Sequence, residues 1–342
     1  MNERPVALRH KGLAFSQLRI NDHNLDEKLP TVSSEGCQIR CHQPVVYDLG
    51  ALDTLPVELL DGILCQLDLR TLTDFRRVNR RAIELVNALP SYKAIITHIP
   101  NALTGILAIR AGRWIMCRTL FEKLCAPTCE ECGDFGGYLY LITCKRVCFL
   151  CFTHEKAYLP LSSRAACREF GLKSGIVETL PHMLVVPGTY APNMKKASGT
   201  ILIDYQSALC AGVLLHGSVN AMEKYVSRAK ARDMEAYEKR LNASKRSGAR
   251  VRLPYSSDSV DLNSANPFRY VAIVRVPWLD RPAREIEWGF HCSACENSNR
   301  LPLHYRRQFT TLSFDEHLIQ CGRIQDGQHS LESVQKEHHA NA

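Results

Sequence analysis

The stretch from Leu52 to Asn87, LDTLPVELLDGILCQLDLRTLTDFRRVNRRAIELVN, decides how the N-terminal part of this chain is read. Leu55, Leu59, Leu60, Ile63, Leu64 and Leu67 recur at steps of three and four, which places them on one face of a helix. Pro56 suits the first helical turn, where its missing N–H costs nothing. Glu58 suits the positive end of the helix dipole. Leu69, Leu72, Phe75 and Val78 repeat the spacing on a second short helix, and Ile83, Leu85 and Val86 mark a third. Three helices this short carry more apolar surface than they can bury on one another. The stretch is therefore either one wall of a larger core or a docking surface for a partner.

The order of residues favours docking. Leu55-Pro56, Glu58-Leu59-Leu60, Ile63-Leu64 and Phe75-Arg76-Arg77-Val78 stand where the F-box family places equivalent residues, and the segment from Leu52 to Leu89 resembles an F-box. Asn79 sits where Ser or Cys is commoner, and Ile83 where a Trp is frequent. The resemblance implies a three-helix unit that binds the Skp-type adaptor, and through it the cullin, of an SCF-type ubiquitin ligase. Leu55, Pro56, Leu59, Leu60, Ile63, Leu64, Leu67, Leu69, Leu72, Phe75 and Val78 would form the contact. The chain would then recruit a protein substrate and perform no chemistry itself.

The remainder must be a folded unit with its own core. The chain has 342 residues, 45% apolar and 23% charged, with room for one or two units beyond the helical stretch. No apolar run reaches the roughly 18 residues that would span a bilayer. Residues 1–19 carry several basic groups, one acid (Glu3) and no apolar signal segment, so a reducing cytoplasmic or nuclear setting is expected. There, fifteen cysteines at tight pair spacing read as metal ligands rather than disulfides. The net charge of +8 collects largely between Lys224 and Arg252, so it need not cover the whole surface.

The first cysteine group is Cys129-Glu-Glu-Cys132, fifteen residues, then Cys148-Phe-Leu-Cys151. Each CxxC pair can place two thiolates on one ion, and a hairpin between the pairs closes a tetrahedral zinc site. Gly133, Gly136 and Gly137 suit the knuckle, and Tyr138 to Thr143 reads as a strand. Cys125, Cys144 and His154 are nearby alternatives. A RING domain would need eight interleaved ligands, and the next cysteines, Cys167 and Cys210, are isolated.

The second group is Cys292-Ser-Ala-Cys295, twenty-one residues, then His317 and Cys321. Ser313 with Glu316 has the form of a capping box, so a helix is expected to start there. His317 and Cys321 then lie four apart on one face, completing a site of three sulfurs and one nitrogen. His291 and His304 compete for the histidine role. Both sites are expected to be structural, because four protein ligands leave no open position for water or substrate.

The expected fold class is α+β: an N-terminal three-helix F-box, then a mixed α/β region held by two structural zinc ions. The expected organisation is a flexible segment (1–50), the F-box (51–95), a linker helix with the first zinc unit (96–180), an α+β region with the second (181–325), and a tail (326–342). Helices are expected over 102–121, 162–170 and 220–241. Strands are expected over 179–186, 200–205 and 268–276, with a mobile loop over 245–266. The stretches TCKRVCFLC, PGTY, VRVPWLD, EWGFHCSAC and HLIQC are softly similar to F-box proteins of filamentous fungi, which implies no catalytic activity.

Other functions fit less well. Nucleic-acid binding through the zinc units and the basic helix from Lys224 to Arg240 is the alternative reading, but Glu223, Asp233, Glu235 and Glu238 interleave with its cations and stacking aromatics are sparse. A zinc enzyme needs an open metal position, and no HExxH or nucleophile-elbow pattern is present. No sequence feature names the substrate.

Overall fold

Six helices follow the opening motif in close succession in this computed structural model, which describes residues 12–16, 21–30, 49–191, 194–247, 266–296 and 303–330. They are α1 (Val57–Gln66), α2 (Leu69–Arg76), α3 (Arg80–Ala88), α4 (Pro90–His98), α5 (Pro100–Ala108) and α6 (Cys117–Cys125). Local chemistry sets the boundaries. Asp68 caps α2 by accepting from the Thr71 amide, and Asn79 caps α3 by accepting from that of Ala82. Pro90 and Pro100 open α4 and α5, where a missing N–H is harmless. Helix α1 packs on α6, α2 on α3 and α5, and α3 on α4. Leu60, Leu64, Leu69, Leu72, Leu85 and Val86 are buried there together with Ile95, Ile106 and Leu120.

The helix expected over 102–121 is two helices. The chain breaks between α5 and α6, with Arg110 at φ 62°. The break lets the Leu69 amide donate to the Ile115 carbonyl and the Cys117 amide to that of Leu67. Gly112 permits this approach, since a Cβ there would meet the Arg70 backbone nitrogen at 3.2 Å.

The same core continues into a sheet. Strands β2 (Tyr138–Tyr140) and β3 (Lys145–Val147) form a hairpin, and β9 (Ile273–Arg275) adds antiparallel to the other edge of β2, pairing Leu139 with Val274. All three strands are largely buried, which explains their unbroken apolar character. The strand expected over 268–276 is shorter, because Pro267–Arg269 form a 3₁₀ turn capped by Asn266.

A second, smaller core lies under β4 (Leu161–Ser162), β8 (Ile201–Ile203) and β5 (His182–Leu184), paired in that order. Helices α8 (Ser163–Phe170), α9 (Ser174–Val177), α10 (Tyr205–His216) and α11 (Val219–Ser247) enclose Ala166, Phe170, Ile203, Ala208, Met222 and Val226. Ser162 caps α8, and Gly171 ends it in the left-handed region at φ 64°. Hairpins β6–β7 (Gly188–Tyr190, Lys195–Ala197) and β10–β11 (Trp278–Asp280, Glu285–Glu287) instead place Tyr190, Ala197, Leu279 and Ile286 in the main core. A third cluster gathers Phe290, Phe309 and Phe314 around Cys292 and Cys295. Its elements are β12 (His291–Cys292), α12 (Ser293–Glu296), α13 (Thr311–Cys321) and the hairpin β13–β14 (Ile324–Gln325, Gln328–His329). The fold is thus mixed helix and sheet, as the α+β expectation requires.

Two expected segment boundaries differ. Residues 12–16 and 21–30 are not a loose lead-in. Strand β1 (Ala14–Phe15) pairs with β12, aligning Ala14 with Cys292. Leu25 is fully buried, and the Asp26 carboxylate accepts from Asn101 Nδ2 at 2.7 Å and from the Arg275 amide at 2.8 Å. A buried leucine and carboxylates with waiting donors hold this segment down. At the other end, a boundary at 325 would cut the β13–β14 hairpin. The loop expected over 245–266 lies almost wholly outside the described residues, as do residues 331–342 of the expected tail.

Candidate metal centres and the apolar helical face

The β2–β3 hairpin brings the first two cysteine pairs together. The ligand atoms of Cys129, Cys132, Cys148 and Cys151 all lie within 4.8 Å of one another, close enough to hold one metal ion. Cys132 and Cys148 Sγ are 3.7 Å apart. In the first knuckle the Gly133 amide donates to the Cys129 carbonyl, with Gly133 at φ 81°. In the second, Cys148 caps α7 (Phe149–His154), its Sγ accepting from the Cys151 amide at 3.4 Å.

The intervening residues anchor the knuckles. Glu130 pairs with Lys123 at the end of α6, 2.8 Å away, and accepts from the Arg146 amide at 2.7 Å. Glu131 accepts from the Tyr158 hydroxyl at 2.6 Å. Arg269, almost fully buried, donates to the carbonyls of Phe152 and Glu155 and so caps the far end of α7. Hydrogen bonds from Cys148 and Cys151 pull the Cys129 thiol well below its ordinary range, while both donors are pushed up. A bound cation would be needed to hold all four as thiolates. Cys144 is outside the group. Burial in the β2–β3 turn raises its thiol to about 12. His154 is also outside, with Nδ1 at 2.9 Å from the Leu150 carbonyl.

The second group differs from expectation in one ligand. Cys292, Cys295 and His317 come together with His329, again within 4.8 Å. Cys295 Sγ is 3.5 Å from His317 Nε2 and 3.4 Å from His329 Nε2, which is also 3.4 Å from Cys292 Sγ. His329 Nδ1 donates to the Gly322 carbonyl at 2.8 Å, which fixes the tautomer that turns Nε2 toward the sulfurs. Cys321 is therefore displaced from the expected set. It shares a helical face with His317, but α13 ends there and Gly322, at φ 92°, turns the chain out of the helix. A two-residue turn with Asp326 and Gly327 both at positive φ then returns His329 to the site. That Asp-Gly pair was the available signal. The cap is also shifted: Thr310 caps α13 and Ser313 completes the box, so Glu316 is free of that role.

His291 and His304 stay outside as well. His291 donates through Nδ1 to the Arg307 carbonyl at 2.9 Å and stacks on Phe15, and its burial holds it neutral, with a pKa of about 4.

The two centres are joined through buried charge. Tyr138 on β2 donates to Asp22 at 2.6 Å, and Arg306 donates to the other Asp22 oxygen. The Arg306 guanidinium lies 3.7 Å above the Phe149 ring, next to Cys148. Arg307 reaches Asp134 of the first knuckle through two hydrogen bonds, 3.0 and 2.7 Å long. The sequence carries no sign of these partners, because ion pairs between distant segments leave no periodic trace.

The helical face expected to dock a partner divides in two. Leu60, Leu64, Leu69 and Leu72 are buried in the chain's own core, so they are not available for direct contact. Leu55, Leu67 and Phe75 are half-buried against that core, and Pro56 is exposed. Leu59 and Ile63 remain 56% and 47% exposed, one helical turn apart, with Val57 at 55% and Val78 at 67%. The division follows from α6 packing on the other side of α1. Among the described residues no helix is long and apolar enough to cross a membrane. Comparison with protein-family models, curated proteins and solved structures finds no match to this chain.

Proposed function

We propose that this chain is an F-box substrate receptor. Helices α1–α3 dock a Skp-type adaptor and through it a cullin, and the rest of the chain carries a protein substrate to a ubiquitin ligase. The observation that carries the reading is the pair of apolar side chains left exposed one turn apart on α1, Leu59 and Ile63, directly after the Leu55-Pro56 motif, with Val57 also exposed at the start of the helix. Apolar surface that the protein's own core does not use is what a partner needs. Fully burying each such side chain contributes roughly 1.5–3 kcal/mol, of which these half-exposed ones have about half to give. Part of that offsets the entropy lost on association. The chain itself transfers nothing and acts by bringing substrate and ligase together.

The two Cys/His groups are proposed to hold structural zinc. Four thiolates, and two thiolates with two imidazoles, are donor sets that suit Zn²⁺ and leave no position for a substrate. Their part is to fix the substrate-bearing half of the chain relative to α1–α6.

The test is capture of a purified Skp-type adaptor by wild type and by the double variant Leu59→Ser/Ile63→Ser. Both side chains point into solvent, so the variant keeps its core. Loss of capture with an unchanged melting temperature supports the reading. Capture equal to wild type removes it.

A further inference from the structure

A cleft of about 210 Å³ runs between the first cysteine knuckle and α13. One wall is the first knuckle at Gly133, Asp134 and Phe135, and the other is Arg307 with the α13 residues Glu316 and Gln320. Small-molecule pockets usually begin at about 300 Å³, so this space suits a single anchoring side chain rather than a metabolite.

The charges around it are unequal. Asp134 and Arg307 neutralise each other through their paired hydrogen bonds. Glu316 is exposed and makes no hydrogen bond or ion pair among the described residues. One negative charge is thus left to face whatever enters. On the same face of α13, one turn to either side of Glu316, stand Leu312 and Ile319, 76% and 74% exposed. Leu312 and Ile319 thus offer an incoming segment two large aliphatic side chains beside the cleft.

We infer that this cleft and its rim form a docking site for a peptide segment of a partner protein, in which a Lys or Arg enters beside Glu316 and flanking aliphatic residues cover Leu312 and Ile319. The inference rests on the substrate-receptor reading and names the substrate feature that the receptor selects. The capping box of Thr310 and Ser313 and the stacking of Phe309 on His317 hold α13 in place, so the site is preformed.

The test uses the whole 342-residue chain, loaded with zinc, and fluorescently labelled synthetic peptides with a central Lys, Arg, Gln or Glu, flanked by Leu or by Ser, with binding read by anisotropy. Peptides with Lys or Arg between leucines should bind best, and Gln in the centre should weaken binding about fivefold. Glu316→Lys should invert the order, so that Glu-centred peptides bind best, which a merely damaged protein could not do. Leu312→Ser/Ile319→Ser should abolish the preference for Leu over Ser flanks. Absence of binding by every peptide overturns the inference, as does a preference order that Glu316→Lys leaves unchanged. Adaptor capture by the same preparations keeps the two readings apart. Capture without peptide selectivity removes only this site, and selectivity without capture removes only the ligase assignment.

Discussion

The two Cys/His groups solve one problem in opposite ways. The first draws all its ligands from residues 129–151, around a hairpin whose strands belong to the main core. The second draws from residues 292–329, takes its last ligand from the β13–β14 hairpin, and has its Cys292–Cys295 knuckle paired with β1, far away in sequence. A local site is fixed by spacing and turn chemistry. A dispersed one depends on elements that must already be docked. The first should therefore be part of the stability of the whole molecule, and the second a local clamp.

The variant with the largest effect tests that ranking directly. Cys148→Ser removes a buried ligand that also caps α7, next to Phe149 and Phe152 in the main core. Structural zinc in small domains is worth on the order of 10 kcal/mol of folding free energy, comparable to the whole stability of a domain. The expected outcome is loss of one zinc by elemental analysis and loss of the cooperative melt. If Cys148→Ser melts like wild type, the first site is not the global one.

His329→Ala comes next. It should also release one zinc, yet the cooperative melt should survive, with proteolysis appearing near β1 and α13. Cys321→Ser, by contrast, should keep two zincs. Release of zinc by Cys321→Ser and not by His329→Ala would reverse the ligand assignment.

That contrast also marks what could be read in the sequence. The spacing of Cys129, Cys132, Cys148 and Cys151 was sufficient, because hairpin closure over fifteen residues has few solutions. Helix α8 was equally plain, with Ser162 and Gly171 as its two caps. His317 and Cys321 were placed correctly on one helix face, but helical period says nothing about where a helix stops. Gly322 and the Asp326-Gly327 turn decide that, and they exchange Cys321 for His329. On α1 the apolar positions were legible as a set. Which of them face α6 and which face solvent depends on packing, so helical period alone groups Leu60 and Leu64 with Leu59 and Ile63. The roles of Asp22 and Leu25 were hidden, because a short segment tied down by distant donors resembles a loose tail.

Asp22→Ala probes the link between the two sites. It leaves Arg306, only 4% exposed, without its carboxylate. Removing one partner of a buried pair costs about 3–5 kcal/mol. The melting temperature should fall while both zincs are retained, since Asp22 ligates neither. Simultaneous loss of the second zinc would show that the clamp depends on the link rather than on its own ligands.

The smallest effect is expected at Lys123. Its ammonium lies 2.8 Å from Glu130 in the first knuckle, with the two side chains 26% and 33% exposed. Pairs this accessible to water are worth about 0.2–1 kcal/mol. Glu130 keeps a second partner, the Arg146 amide on β3, so Lys123→Met leaves no acceptor stranded. The expected change in urea unfolding is at most about 1 kcal/mol, with zinc content unaltered. Glu130→Ala should cost more than Lys123→Met, because it strands the Arg146 amide in a hairpin that is otherwise buried. Equal losses from the two variants would mean that the ion pair to α6, and not the backbone contact to β3, secures the knuckle.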